Sequence, residues 1–523
     1  MRKFQRFFGV SFLAVLLATL FCGPAFSDSL MPTQNAVVIG GTGYSETNLV
    51  VAKGADFVIK PTLNIPTAHQ GHRGTLYVYA QVGDSFYSMD DMEKWTAVSK
   101  DSLKPLKRLT LGSTLTISII SGNFGAFDGA ISLYYAYELF DSPLFFGNMM
   151  NVKFSDIAAN LKEYLDGNVE MGIPGISMAV EIPHEGKWLG TSGLSDIYKG
   201  TALTSEDKFR VGSITKTFTS LTVLQLAQEG KINLDASMET YIPGKIHEPY
   251  DPSAITVREL LNHTNGIFDY THDFENLLVP STLYPTMPWT EEEVLAIVQA
   301  NEKISEPGEF WSYTSTGFYL LGLIVEEVTG NKWEDEVTNR FIKPLNLTHT
   351  SVPESPDTSI PAPYAHGYLD LYDFTEGNVG EEGVLVDYSM QDPSLSWSSG
   401  NIISTPEDLI VWINAIGSGK LLNKEYQSEL LTYVDAGVNL KFGLGIAYRP
   451  LTGTLRHIGG ITGYTSVMDY QIEKGFPVAI CTNLNSMPVN DIMDYALGII
   501  TGVDMSEMTR EARSKEPEIV QKW

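Results

Sequence analysis

Phe209-Arg210-Val211-Gly212-Ser213-Ile214-Thr215-Lys216-Thr217-Phe218 leads into an apolar stretch that continues through Ala227 and stops at Gly230. The pattern predicts a helix that opens at Ser213 and ends on a glycine. Residues three apart in a first turn share a face, so the Lys216 ammonium is expected beside the Ser213 hydroxyl. Unpaired backbone N–H groups and the positive end of the helix dipole face the same point. A serine hydroxyl is a weak nucleophile, and this placement supplies the activation it needs. A serine at a helix start also serves as an ordinary N-cap, so the meaning of the stretch depends on what surrounds it.

Downstream lie Ile255-Thr256-Val257-Arg258-Glu259-Leu260-Leu261-Asn262-His263-Thr264-Asn265-Gly266 and Pro307-Gly308-Glu309-Phe310-Trp311-Ser312-Tyr313-Thr314-Ser315-Thr316-Gly317-Phe318-Tyr319-Leu320-Leu321-Gly322. A glycine-rich strand follows at His457-Ile458-Gly459-Gly460-Ile461-Thr462-Gly463-Tyr464. Together with Ser213-Ile214-Thr215-Lys216, these segments resemble the serine hydrolases that include class C β-lactamases, penicillin-binding proteins, D-Ala-D-Ala carboxypeptidases, D-aminopeptidases and related esterases. The resemblance covers roughly residues 154–501, and its motifs occur in the family order.

The resemblance implies roles for individual residues. Ser213 is the nucleophile that becomes acylated. Tyr313 matches the tyrosine whose phenolate, held near Lys216, shuttles the proton to the leaving group; a phenol with a pKa near 10 needs such a cation to act at neutral pH. His457 stands where many relatives carry the lysine of Lys-Thr-Gly, and hydrogen-bonds into the Ser213/Tyr313 network or places substrate. Gly459 leaves room for substrate, and the N–H of Gly460 joins that of Ser213 as an oxyanion hole. Ser315 departs from the pattern, because relatives acting on peptides and β-lactams commonly have asparagine there to bind the substrate amide. One hydroxyl replaces an amide pair, which tilts the reading toward an esterase or broad acyl hydrolase. His263 matches a structural turn of the family rather than a second base.

The expected fold is α/β, of the β-lactamase/transpeptidase type: an antiparallel sheet flanked by helices, with a helical subdomain beside the cleft, preceded by an all-β sandwich domain. Strands are expected at Ile176 to Ile182, Trp188 to Gly193, Phe442 to Arg449, Thr454 to His457, Tyr464 to Gln471 and Phe476 to Thr482, and helices around Ile157 to Leu165 and Asn490 to Ile500. Both ends of the domain thus contribute to one sheet, with a helical insertion between them. From about Met31 to Leu144, short β-branched and aromatic runs such as Gly74 to Ala80 and Leu115 to Ile120 alternate with turns, which is the sandwich pattern. Val37-Val38-Ile39-Gly40-Gly41-Thr42-Gly43 looks like a dinucleotide loop, but the following residues, Tyr44 to Asp56, are β-like where a helix is needed. The expected division is residues 1–27, 28–148, 149–505 and a tail at 506–523.

Met1 to Arg6 is basic, Phe7 to Phe21 is apolar, and small residues surround Ala25-Phe26-Ser27. That is the pattern of a secretory signal peptide, so export to a periplasmic or extracellular space is expected. Cys22 reads as a lipoprotein cysteine only if bulky Phe21 is tolerated before it. Cleavage leaves Cys481 as the one cysteine, a buried small hydrophobe by its apolar neighbours, so an internal disulfide is excluded. The formal net charge is −28 with 63 acidic and 35 basic residues, and removal of the leader takes it to about −31. Binding to nucleic acid or to an anionic membrane is disfavoured. No second apolar run reaches the roughly 20 residues of a membrane span. Metal-binding His-Glu-x-x-His and paired-cysteine spacings are absent, and neither a metal nor a cofactor is expected. The sequence therefore predicts a serine hydrolase that forms an acyl-enzyme with small-molecule or peptide esters, amides or lactams, a cell-wall peptide among the candidates. The competing reading is a penicillin-binding sensor or scaffold that acylates without turnover.

Overall fold

The computed structural model describes residues 150–503 apart from 375–379 and 486, together with strands between Thr33 and Phe146 and the single residues Gln70 and Leu106. The leader with Cys22, the glycine-rich residues 40–43 and the tail at 506–523 lie outside the described residues. The chain divides into two compact units between Ser155 and Asp156.

The described regular elements of the first unit are strands. Thr33–Ile39, Asp56–Asn64 and Thr114–Thr116 form one sheet, and Ile120–Asn123 also pairs with Asp56–Asn64. An eight-stranded sheet is built around Ala130–Leu139 and Arg73–Val82, which pair antiparallel from Ile131↔Val82 to Leu139↔Gly74. Leu76, Val78 and Ala80 are buried there, the two-residue period of a strand with one covered face. Asn48–Ala52 pairs with Met150–Ser155 in parallel.

The second unit is built on a nine-stranded antiparallel sheet. Its strands are β1 (Gly175–Ile182), β2 (Gly186–Asp196), β3 (Thr201–Ala202), β4 (Val434–Gly437), β5 (Leu440–Phe442), β6 (Ala447–Arg449), β7 (Thr454–Ile461), β8 (Tyr464–Gln471) and β9 (Phe476–Thr482). They lie in the order β3-β2-β1-β9-β8-β7-β6-β5-β4. The pairing of β1 with β9, from Ile176↔Thr482 to Val180↔Val478, joins the two ends of the unit as the sequence indicates. Phe442 to Arg449 departs from expectation, being two strands rather than one. Gly443 and Gly445, the latter with φ of 86°, form a turn between β5 and β6, a backbone shape that interrupts a ladder.

The helices used below are α1 (Asp156–Glu170), α2 (Thr215–Gln228), α3 (Val257–Asn262), α4 (Ser315–Thr329), α5 (Trp397–Gly400), α6 (Pro406–Gly417) and α7 (Val489–Thr501). α1 and α7 pack on each other and on the sheet, while α6 packs against β1, β8 and β9. α2 is buried on every side, with Phe218, Leu221, Val223, Leu224 and Leu226 at most 1% exposed. Each such side chain contributes about 1.5–3 kcal/mol on burial. Phe218 stacks on Trp412 of α6 with ring centroids 3.9 Å apart. Among the described residues no helix is long and apolar enough to cross a membrane.

Candidate active site

α2 is hydroxyl-rich, and a buried hydroxyl without a partner is costly. Each finds one. Thr215 accepts from the N–H of Ile402, Thr217 donates to the Ile214 carbonyl and accepts from the Trp412 indole, Thr219 donates to the Ser398 carbonyl, and Ser220 donates to the Leu444 carbonyl. These bonds fix the helix in register with the segments around it, and so fix what stands at its start.

Ser213 lies in the short 3₁₀ turn Gly212–Ile214 that opens α2. Two glycines let this turn approach β7. Gly212 has φ of 52°, and a Cβ there would come within 2.7 Å of the Gly460 carbonyl oxygen. A Cβ on Gly459 would lie 1.8 Å from the Val211 carbonyl oxygen. The sequence reading gave Gly459 to the substrate, and the structure corrects this: its open side is filled by the Ser213 segment. Gly460 has nothing within 4 Å of its Cβ position and faces the cavity. β7 pairs with β8 along its whole length but with β6 only as far as Arg456, so the edge from His457 to Ile461 borders the cleft.

That cleft is a cavity of about 800 Å³, lined by Ser213, Lys216, Tyr313, Ser315, His457 and Gly460 among others. Lys216 is fully buried, and its Nζ donates to Ser213 Oγ at 3.1 Å, Ser315 Oγ at 3.3 Å and the Ser399 carbonyl at 2.9 Å. Burial pulls its pKa down to about 7, with the Asp269 charge acting in the opposite sense. Its ammonium lies 5.0 Å from the centre of the Tyr313 ring. The Tyr313 hydroxyl also interacts with the Ser213 side chain. Burial pushes this phenol above its usual pKa more than the Ser213 interaction lowers it. These shifts favour a protonated Tyr313 at rest and a Lys216 poised near neutrality, where the resemblance implies a phenolate.

His457 keeps Nδ1 2.7 Å from the Ile458 carbonyl, so Nδ1 carries the proton. Nε2 is then a lone-pair acceptor with no hydrogen-bond partner among the described residues. Burial and the Lys216 charge bring the pKa of this ring to about 3, so it is a neutral imidazole at working pH.

Two residues outside the expected set hold Tyr313 in place. His263 ends α3 in the left-handed conformation, with φ of 63°. Its carbonyl accepts from Ser312 N–H at 2.9 Å and its Nδ1 accepts from Thr314 N–H at 3.2 Å, clamping the backbone on both sides of Tyr313. Its ring centroid stands 4.4 Å from that of Tyr313. Burial holds the His263 pKa well below its ordinary value, as an accepting Nδ1 requires. Asp269 accepts from Ser315 N–H at 2.9 Å, and from the N–H and hydroxyl of Thr271. The third addition, the Ser399 carbonyl on Lys216, comes from α5. The sequence flagged His263 only as a turn, and it gave no signal for a backbone carbonyl.

Among the described residues no cluster of three His, Cys, Asp or Glu side chains could hold a metal ion. The Beta-lactamase family model matches residues 157–501, most of the chain.

The chain belongs to the beta-lactamase family.

A D-stereospecific amidohydrolase from Streptomyces sp. is 33% identical with a TM-score of 0.57, over 62% of this chain and 94% of that one. The D-amino acid amidase from Ochrobactrum anthropi SV3, solved with L-phenylalanine amide, is 26% identical with a TM-score of 0.56, over 69% of this chain and all of that one. Protein flp of Staphylococcus aureus is 25% identical over 319 residues, which is 58% of each chain. This beta-lactamase-family chain thus spans little more than half the length of that curated relative.

Proposed function

We propose that the protein hydrolyses ester and amide carbonyls through an acyl-enzyme on Ser213. The observation that carries the reading is the 3.1 Å approach of a buried, near-neutral Lys216 amine to a Ser213 hydroxyl that also meets Tyr313. Ser213 Oγ attacks the carbonyl carbon as its proton passes to Lys216, directly or through Tyr313. The oxyanion forms against the N–H groups of Ser213 and Gly460, an arrangement worth about 3–4 kcal/mol per donor in comparable sites. Collapse expels the alcohol or amine, which takes a proton from Tyr313 as Tyr313 recovers one from Lys216. Water then adds to the acyl-serine by the same route and releases the acid. His457, neutral and accepting, orients the substrate or the Tyr313 hydroxyl.

The names of two relatives, an amidohydrolase and an amidase of D-amino acids, favour amides of D-amino acids among the substrates. The basic and apolar start of the chain favours export as part of the same reading. The test is turnover of a short-chain p-nitrophenyl ester, a chromogenic β-lactam and a D-amino acid amide by the wild type and by Ser213→Ala. The expected result is turnover of the ester and the amide that the variant loses. A stable acyl adduct on Ser213 without turnover would instead identify an acylated sensor.

A further inference from the structure

Among the described residues, four lysine and arginine side chains line the cavity: Arg210, Lys216, Arg449 and Arg456. They are 1%, 0%, 7% and 2% exposed, respectively. Each is engaged by the protein itself. Arg210 donates to the carbonyls of Ser389, Thr358 and Gln391. Arg449 is paired with Asp494, and Arg456 with Asp469, Asp494 and Asn490. The donors of Lys216 are held by Ser213, Ser315 and Ser399.

Among the other described lining residues, His272 is an exposed histidine and His457 is held neutral. The open edge of β7 presents Ile458, Gly460 and Ile461 to the cavity, with neither a hydroxyl nor a cation between them. Two acids, Asp269 and Asp392, lie behind the wall at 3% and 6% exposure. Leu277, Met287 and Trp289 form part of an apolar wall, and Trp311 and Phe442 part of another. The chain as a whole carries a formal charge of −28, a field that opposes the approach of anions.

We infer that the substrate carries no carboxylate. The inference rests on the acyl-enzyme reading above and narrows its substrate class to neutral or cationic esters and amides with a bulky apolar group. A carboxylate entering this cavity gives up its water and meets, among the described lining residues, no lysine or arginine that is not already paired or hydrogen-bonded within the protein. Peptides that end in a free carboxylate, and β-lactams with their ring carboxylate, are accordingly poor substrates, whereas the same peptides capped as amides are accepted. The Ser315 side chain fits this selection, since its hydroxyl is turned to Lys216.

The test uses two activated esters that differ in one group: 4-nitrophenyl phenylacetate, and its twin with a carboxylate beside the nitro group of the leaving phenol. Each rate is scaled to that ester's hydrolysis by hydroxide. The carboxylate twin is expected to lose about a hundredfold in kcat/KM, a loss in the range set by burying an uncompensated charge. Ile461→Arg, at a half-exposed position on the cavity wall, is expected to recover about tenfold of that loss. Twins that react within about threefold of each other, with Ser213 acylated by both, overturn the inference and leave the acyl-enzyme reading intact. If intact-mass analysis finds Ser213 unmodified by either ester, the acyl-enzyme reading falls and this inference falls with it.

Discussion

Two buried cations stand on adjacent segments of one sheet and its neighbouring helix, and their surroundings treat them in opposite ways. Arg456 of β7 is 2% exposed and bonded to both oxygens of Asp469, at 2.6 and 2.7 Å, and to Asp494 of α7 at 2.9 Å. Burial works against its charge, yet the two carboxylates more than offset this and hold its pKa above the ordinary arginine value. Lys216 of α2 is no more exposed, but its three hydrogen-bond acceptors are neutral oxygens. Its pKa falls to about 7. Both Arg456 and its neighbour His457 line the cavity, but the Arg456 guanidinium is taken up by Asp469 of β8 and Asp494 of α7. The comparison teaches that the fold compensates charge fully at Arg456 and leaves it to neutral acceptors at the Lys216 amine beside Ser213.

The difference can be broken from either side, and the largest effect is expected at Lys216. Lys216→Met should lower the acylation rate at least about a thousandfold, because the hydroxyl loses its proton acceptor. The same change should raise stability at pH 6 by about 1–3 kcal/mol, read from the urea midpoint, since an under-compensated buried charge is gone. The sign follows from linkage. A lysine with folded pKa near 7 and unfolded pKa of 10.5 binds more protons when unfolded throughout that window. Wild-type stability therefore gains on Lys216→Met as pH rises from about 7 toward 10.5, and the gap between the two proteins closes. A gap that stays constant with pH would contradict the account.

Next in size is the opposite substitution. Arg456→Met leaves Asp469 and Asp494 buried without their main partner and should cost about 3–5 kcal/mol of stability in the same urea measurement. A cost below about 1 kcal/mol would show that the cluster is not the compensated pair described.

Smaller effects test how Tyr313 is held. His263→Ala removes the acceptor for Thr314 N–H and should lower kcat about 10- to 100-fold with little change in KM, as a displaced proton carrier would. His263→Asn keeps an acceptor near the Nδ1 position on a residue that tolerates the left-handed conformation, so it should recover most of that loss. Equal activities for the two variants would assign His263 to packing alone. The smallest effect belongs to Asp269, whose charge raises the Lys216 pKa. Asp269→Asn should move the rising limb of the acylation pH profile downward, by about half a unit at the distances typical of such pairs.

Much of this arrangement is legible in the sequence because it is local or repetitive. Ser213 and Lys216 share a face by helical spacing alone, and strand β9 follows from the apolar run Phe476 to Cys481. What escaped is relational. The Ser399 carbonyl has no side-chain signature, and Asp269 acts on the backbone N–H of Ser315, 46 residues away. Gly459 was assigned to the substrate because a small residue in a site motif suggests ligand approach, whereas only the packed structure shows that Val211 fills that side. For the Tyr313 proton, the sequence supplies a cation beside a phenol but not the burial that lowers the Lys216 pKa and raises that of Tyr313.

The central claim is that burial beside neutral acceptors sets Lys216 to titrate near neutrality next to Ser213. It is tested most directly by the pH dependence of the pre-steady-state acylation rate with 4-nitrophenyl phenylacetate. The account predicts a rising limb with a midpoint of about 7. A limb that climbs only near the ordinary lysine value of about 10.4, or a rate indifferent to pH through neutrality, would contradict it.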